Sequence, residues 1–302
     1  MNKEKEIKQA YSSIMALKGM DDFKSMIKRL QVFLCNKQKY NLGDISMPCY
    51  LMTVNRGGGI TTMINALAKY LYVADAFEFC GIEKAFEFKL GYIPPDAYFS
   101  ELMRLDNTFV EAAGYNRHFK GVVGINIDEW LGHTSEAHFT KFLETLAAST
   151  GLLTVFYIYN RKKEELKALE SAISLRLRLE YVPLRFPRGE ELVDYIDIGF
   201  MQTKGLYLSK EAKTLLCGTI NEIAKGKHFN GFKTISTLAD DILYHIFSQI
   251  GFKSKDVSAE ILQGFSKESE YVRRLVSQKG SKKAIGFTSP QSKPVHAEGD
   301  RQ

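Results

Sequence analysis

Between Ile7 and Leu34 the hydrophobic residues recur at helical spacing: Ile14 and Leu17, then Phe23, Met26, Ile27, Leu30, Phe33 and Leu34. Gly19 interrupts the pattern, which predicts two helices with a turn near Lys18–Asp21 and a polar connection from Asn36 to Ser46. The period then changes. Cys49 to Val54 is a short β-prone run that ends in Asn55-Arg56-Gly57-Gly58-Gly59. Thr61 to Tyr72 reads as a helix, with Met63, Ile64, Leu67 and Leu71 on one face. Strand, glycine-rich turn and helix make the first unit of a parallel α/β sheet.

Further strands are predicted at Gly121 to Ile127, Leu152 to Tyr159 and Leu179 to Leu184, with helices at His138 to Ala148 and Lys163 to Ala172. Near-continuous apolar strands separated by helices suit a sheet covered on both faces. Beyond Pro187 the pattern is all-helical: Glu190–Lys204, Ser209–Lys225 and Thr234–Ile250. From Ser254 one more helix reaches Val276, before a Lys/Ser/Gly/Pro-rich tail read as disordered. No internal repeat is visible.

Composition narrows the class. Apolar residues make up 45% and charged residues 25% of 302, as in an ordinary globular protein. No stretch approaches the roughly 18 uninterrupted apolar residues of a spanning helix, so no membrane partner is expected. The charged Met1–Gln9 segment argues against a secretory signal. Cys35, Cys49, Cys80 and Cys217 form no CxxC pair, which points to a reduced, cytoplasmic setting. The net charge is +6, but residues 253–302 alone hold ten Lys/Arg against six Asp/Glu. The excess sits mostly in the tail, so nucleic acid is not the expected partner.

Two segments carry chemistry. A P-loop reads GxxxxGK[ST] between strand and helix: its glycines let backbone N–H groups wrap phosphates, its lysine neutralises charge and its hydroxyl holds magnesium. Val54 to Thr61 sits in that context, with Gly59 and Thr61 matching and Thr62 adding a second hydroxyl. Val54 replaces the first glycine, however, and Ile60 replaces the lysine. Arg56 is the loop's own cation. The second segment, Val122 to Glu129, is an apolar strand ending in Asp-Glu. In a P-loop sheet Asp128 would hold magnesium and Glu129 would polarise the attacking water. Trp130 reads as packing, and His133 and His138 lie at a spacing that does not share a helix face as metal ligands need.

With these motifs in order, the chain resembles the AAA+ family, and within it the CbxX/CfxQ branch of red-type Rubisco activases and stage V sporulation protein K. The likeness runs from about Leu17 to Ile250. Leu17 to Lys24 resembles that branch's L-x-G-L-x-x-V-K segment, Leu184 to Leu192 its F-P-D-Y-x-x-x-E-L, and His228 to Ile235 its F-G-N-x-R-x-V. The resemblance implies an α/β fold: a P-loop (AAA+-type) parallel sheet sandwiched by helices, followed by a small all-helical lid domain. It implies an N-terminal helical segment over 1–45, the α/β core over 46–186, the lid over 187–252 and a basic tail over 253–302. Nucleotide-binding residues would be Arg56, Gly57, Gly58, Gly59, Thr61, Thr62 and Lys233. Glu129 would be catalytic, Asn160 the sensor, and Thr61 and Asp128 the metal ligands, with ATP and Mg as cofactors.

Departures fall at the chemical positions. Ile60 stands for the lysine, and Lys233 for an arginine whose bidentate fork it lacks. Arg176 and Arg178 flank the place of the arginine finger without aligning to it, and in Tyr92-Ile93-Pro94 a proline stands for the pore-loop glycine. The leading expectation is a pseudo-ATPase that scaffolds or regulates protein remodelling as a homo- or hetero-oligomer with AAA+ subunits, acting on a protein client. The alternative is an active ATPase in which Arg56 substitutes for the lysine. A clamp-loader-like nucleic-acid module ranks last.

Overall fold

The computed structural model describes residues 3–40, 47–77, 83–92, 120–148, 151–159, 163–249 and 254–277. Two helices open the chain, α1 (Lys3–Met15) and α2 (Asp21–Lys39). The second continues to Lys39, into the segment read as a polar connection, because Lys37, Gln38 and Lys39 keep good helix propensity. Strand β1 (Cys49–Thr53) is buried along its whole length and leads through the glycine loop into α3 (Ile60–Val73). β2 (Phe86–Lys89), β3 (Gly121–Asn126), α4 (Ala137–Ala148), β4 (Leu152–Ile158), α5 (Lys163–Ser174) and β5 (Leu179–Pro183) complete the sheet unit.

The five strands run parallel in the order β2-β3-β4-β1-β5, with Tyr50 and Gly124 both opposite Val155, and Met52 opposite Val182. Successive side chains alternate between the two faces. Tyr50, Met52, Val122, Leu153, Val155 and Tyr157 pack on one side with Met63, Ile64 and Leu67 of α3 and Phe23 and Ile27 of α2. Leu51, Val123, Ile125, Phe156 and Ile158 pack on the other against Phe139, Phe142 and Leu143 of α4 and Leu169 and Ile173 of α5. Each such aliphatic side chain withdrawn from water contributes about 1.5–3 kcal/mol, so the core resides in this sandwich.

Beyond the hinge at residues 184–188 lies a second core. α6 (Gly189–Ile196) passes through a π turn (Asp197–Met201) and a 3-10 turn (Gln202–Lys204). α7 (Lys210–Ala224), α8 (Gly231–Ser248), α9 (Ala259–Glu268) and α10 (Glu270–Ser277) follow. Ile196, Leu216, Ile220, Ile235 and Ile242 form its centre, joined by Val257, Leu262 and Phe265. The lid is not purely helical: β6 (Tyr207–Leu208) pairs in parallel with β7 (Asp256–Val257). The single helix expected after Ser254 is two helices, because Ser269 adopts an extended backbone between them. The π turn buries Asp197, whose carboxylate is satisfied by Lys213 Nζ (2.7 Å), Gln202 Nε2 (3.1 Å) and the Leu208 N–H (3.3 Å).

Candidate functional site

The glycine loop leaves the C-terminal end of β1, the edge of a parallel sheet where ligands bind in this class of fold. The Val54 N–H still pairs with the Ile158 carbonyl (2.9 Å), so β1 runs one residue into the motif. The Gly58 N–H then closes a turn onto the Asn55 carbonyl (2.9 Å), and Gly59 caps α3 in the left-handed conformation. Thr61 and Thr62 are exposed on the first turn of α3, and Arg56 is exposed on the loop. Ile60 behaves differently from a P-loop lysine: it is 5% exposed and belongs to the apolar core beneath the loop.

The lid closes directly on this loop. The Phe232 N–H, in the first turn of α8, donates to the Gly57 carbonyl at 2.9 Å. A Cβ on Gly57 (φ +69) would lie 2.1 Å from the Asn230 carbonyl oxygen, and one on Gly231 (φ +53) 2.2 Å from the Gly57 oxygen. Only paired glycines permit this approach. The Phe232 ring contributes to both the sheet core and the lid core and meets Tyr195 edge-on, with centroids 5.0 Å apart. Gly19, Met20, Asp22, Val54, Asn55, Gly58 and the connection Leu184–Pro187 line a narrow cleft beside the loop. Lys233, next to Phe232, is exposed.

The acidic pair at the end of β3 is engaged by protein groups. Asp128 Oδ1 accepts the Tyr159 N–H (2.7 Å), and Oδ2 accepts Asn126 Nδ2 (3.0 Å). Its carboxylate thereby fixes the end of β4 against β3. Glu129 pairs with Lys89 at the end of β2 and accepts the Tyr92 N–H (3.0 Å). The hydrogen bond from Lys89, then that from Tyr92, holds its carboxyl below the ordinary carboxylate range. Beside them Tyr157 donates to Glu87 (2.7 Å); burial, then this carboxylate, pushes its phenol far above the usual value. Burial followed by Glu87 and Asp128 raises Tyr159 too, while Arg56 opposes the shift, which places Arg56 within electrostatic reach of this cluster.

The fold thus gathers Arg56, Gly57, Gly58, Gly59, Thr61, Thr62 and Lys233 around one loop, with Asp128 and Glu129 at the end of β3. Asn160, the sensor candidate, lies outside the described residues, as do Ile93, Pro94 and the tail from residue 278. Sequence reading missed Glu87, Lys89, Tyr157 and Tyr159, which reach the site only through strand register: Glu87 lies opposite Gly124, and Lys89 and Tyr157 opposite Asn126. Trp130 packs, 1% exposed and stacked on Phe139. Tyr92 is held between Trp130 and His133, with ring centroids at 5.3 and 4.1 Å. Among the described residues no cluster of His, Cys, Asp or Glu is arranged to hold a metal, and no helix is long and apolar enough to cross a membrane. Thr61, Thr62 and Asp128 are the described residues that would hold magnesium here; Asp128 already accepts one protein donor on each oxygen.

No protein-family model and no curated protein matches the chain. Among solved structures it is similar to PCH-2 of C. elegans, with a TM-score of 0.51 and 12% identity over 89% of this chain and 73% of that one. It is likewise similar to a proline-to-glycine mutant of Thermotoga maritima RuvB, with a TM-score of 0.50 and 12% identity over 84% and 71%. Both are AAA+ ATPases, so the chain has the AAA+-type α/β P-loop fold.

Proposed function

We propose that this chain is a non-hydrolysing AAA+-fold subunit that scaffolds or regulates a protein-remodelling assembly. The observation that carries the proposal is Ile60, a buried aliphatic side chain at the place of the P-loop lysine, beneath a loop on which the first turn of α8 is seated. The lid seats its own backbone on Gly57. Ile60 supports the reading, because a buried aliphatic chain supplies neither charge nor donor to a phosphate. Asp128 is consistent with it as well, since its carboxylate holds the end of β4 through the Tyr159 N–H and Asn126.

Within the AAA+ fold, the segments Leu17–Lys24, Leu184–Leu192 and His228–Ile235 relate the chain best to the CbxX/CfxQ branch. In that setting a subunit without turnover still offers interfaces to neighbouring AAA+ subunits, of its own or another chain, and to a protein client in the cytoplasm. The test is calorimetry with ATP and with ADP, each with magnesium, on the wild-type chain and Asp128→Ala. No binding is expected at millimolar nucleotide. Tight, magnesium-dependent binding that Asp128→Ala removes would sink the proposal and return Asp128, Glu129, Thr61 and Arg56 to catalytic roles.

A further inference from the structure

The hinge that carries the lid contains an arginine bonded on both sides of it. Arg185 lies between β5 and α6, in the connection that joins the sheet core to the lid. Its N–H donates to Asp22 Oδ2 (3.0 Å) in the first turn of α2. Its guanidinium meets both oxygens of Glu191 on α6, at 2.7 and 2.6 Å, and also Asp21 of α2. We infer that Arg185 is a latch, holding α6 of the lid and α2 of the core in one orientation so that the lid stays seated on Gly57 without nucleotide. The latch rests on the reading of the crevice as closed, and it adds what keeps it closed.

The two arms are unequal. Asp21 is 60% exposed, so water and salt screen its pairing with Arg185. The Glu191 arm is bidentate, with side chains 33% and 26% exposed, the geometry in which guanidinium and carboxylate pair most strongly. Glu191 Oε2 also accepts the Arg188 N–H (2.7 Å), so the same carboxylate closes the first turn of α6. The charged groups facing the latch are therefore Asp21 and Asp22 from α2, Arg185 and Arg188 from the hinge, and Glu191 from α6. Lys24 also reaches Asp21, at 3.8 Å. A hinge residue bonded to both flanking bodies opposes rotation, whereas one free on either side permits it.

The experiment reads amide hydrogen exchange at Phe232, whose N–H exists as a hydrogen bond only while the lid sits on Gly57. The full chain is compared with Arg185→Ala, Glu191→Gln and Asp21→Asn, with Val155 in β4 and Leu216 in α7 reporting that both cores remain folded. Arg185→Ala is expected to speed exchange at Phe232 by about tenfold or more, as loss of charge-assisted hydrogen bonds implies, with Val155 and Leu216 unchanged. Glu191→Gln should follow it, and Asp21→Asn should change the rate less than about threefold. Wild-type exchange at Phe232 in a folded Arg185→Ala overturns the latch. If that variant does not fold, Glu191→Gln carries the same decision. ATP binding by the wild-type chain would defeat the functional proposal and not the latch, since the two are read by separate measurements.

Discussion

The Phe232 N–H donates to the Gly57 carbonyl across 2.9 Å, which lays the first turn of a lid helix on the turn that wraps phosphates in an active P-loop. The contact joins the sheet core to the lid core through the glycine loop.

That joint makes a stability prediction. Gly57→Ala and Gly231→Ala each place a Cβ within about 2.2 Å of a backbone oxygen, at positive φ. Each is expected to cost roughly 2–4 kcal/mol, from left-handed strain plus displacement of the contact. The double variant should cost less than the sum, because either change alone already separates the loop from α8. Urea unfolding midpoints at unchanged slope check both points. Additive losses would show that the two glycines do not act through one contact.

Asp128 separates the structural from the metal reading. Removing it strands the Tyr159 N–H and the Asn126 amide, so Asp128→Ala should lower stability by roughly 1–3 kcal/mol in metal-free buffer. Glu129 is exposed and paired with Lys89, so Lys89→Ala should change stability by less than about 1 kcal/mol. Denaturant titration of the two variants, side by side in EDTA, gives the comparison. An unaffected Asp128→Ala chain would mean that the carboxylate serves a ligand and not the fold.

The sheet was legible in the sequence wherever burial on both faces left long apolar runs, as at Cys49–Val54, Gly121–Ile127 and Leu152–Tyr159. β2 was not, since Phe86–Lys89 is four half-buried or exposed residues on a sheet edge, where alternation is too brief to register. The two-residue strands β6 and β7 are shorter still, and each exists only through the other. At the site, the glycine loop and Asp128-Glu129 were readable because they are local motifs. The lid contact was not, because Gly57 and Gly231 are distant in sequence and each alone reads as an ordinary turn. Asn230-Gly231 before a helix was the available sign of positive φ. Arg185 lies within the Leu184–Leu192 segment, yet nothing local marks its partners Asp21 and Glu191.

Acid should weaken the lid contact before it unfolds the sheet. Hydrogen bonding from Arg185, then the Arg188 N–H, holds the Glu191 carboxyl at about 2, against an ordinary value of about 4.3. A carboxyl depressed in the folded state stabilises fully above its unfolded pKa, and that contribution is lost as pH falls from about 4 towards about 2. Phe232 exchange, corrected for intrinsic rate, should therefore accelerate over that window in the wild-type chain. Glu191→Gln should show a flatter profile, already faster at neutral pH. Parallel profiles for the two chains would assign the acid sensitivity to other carboxylates.

Restoring the missing lysine tests whether the motif or the closed lid governs nucleotide binding. Ile60 lies in the apolar layer beneath the loop, so Ile60→Lys loses that burial and must desolvate or redirect an ammonium. The expected cost is roughly 2–4 kcal/mol in urea unfolding. No ATP affinity should appear at millimolar nucleotide, because the Gly57–Gly231 contact is unchanged. Combining it with Arg185→Ala is the informative step, since one change supplies the charge and the other loosens the lid. Calorimetry on the two single variants and the double then decides between causes. Binding by Ile60→Lys alone would mean that the lysine is the only missing part and that the lid opens freely. Binding confined to the double variant would mean that lid closure, and not the residue at position 60 by itself, keeps nucleotide out.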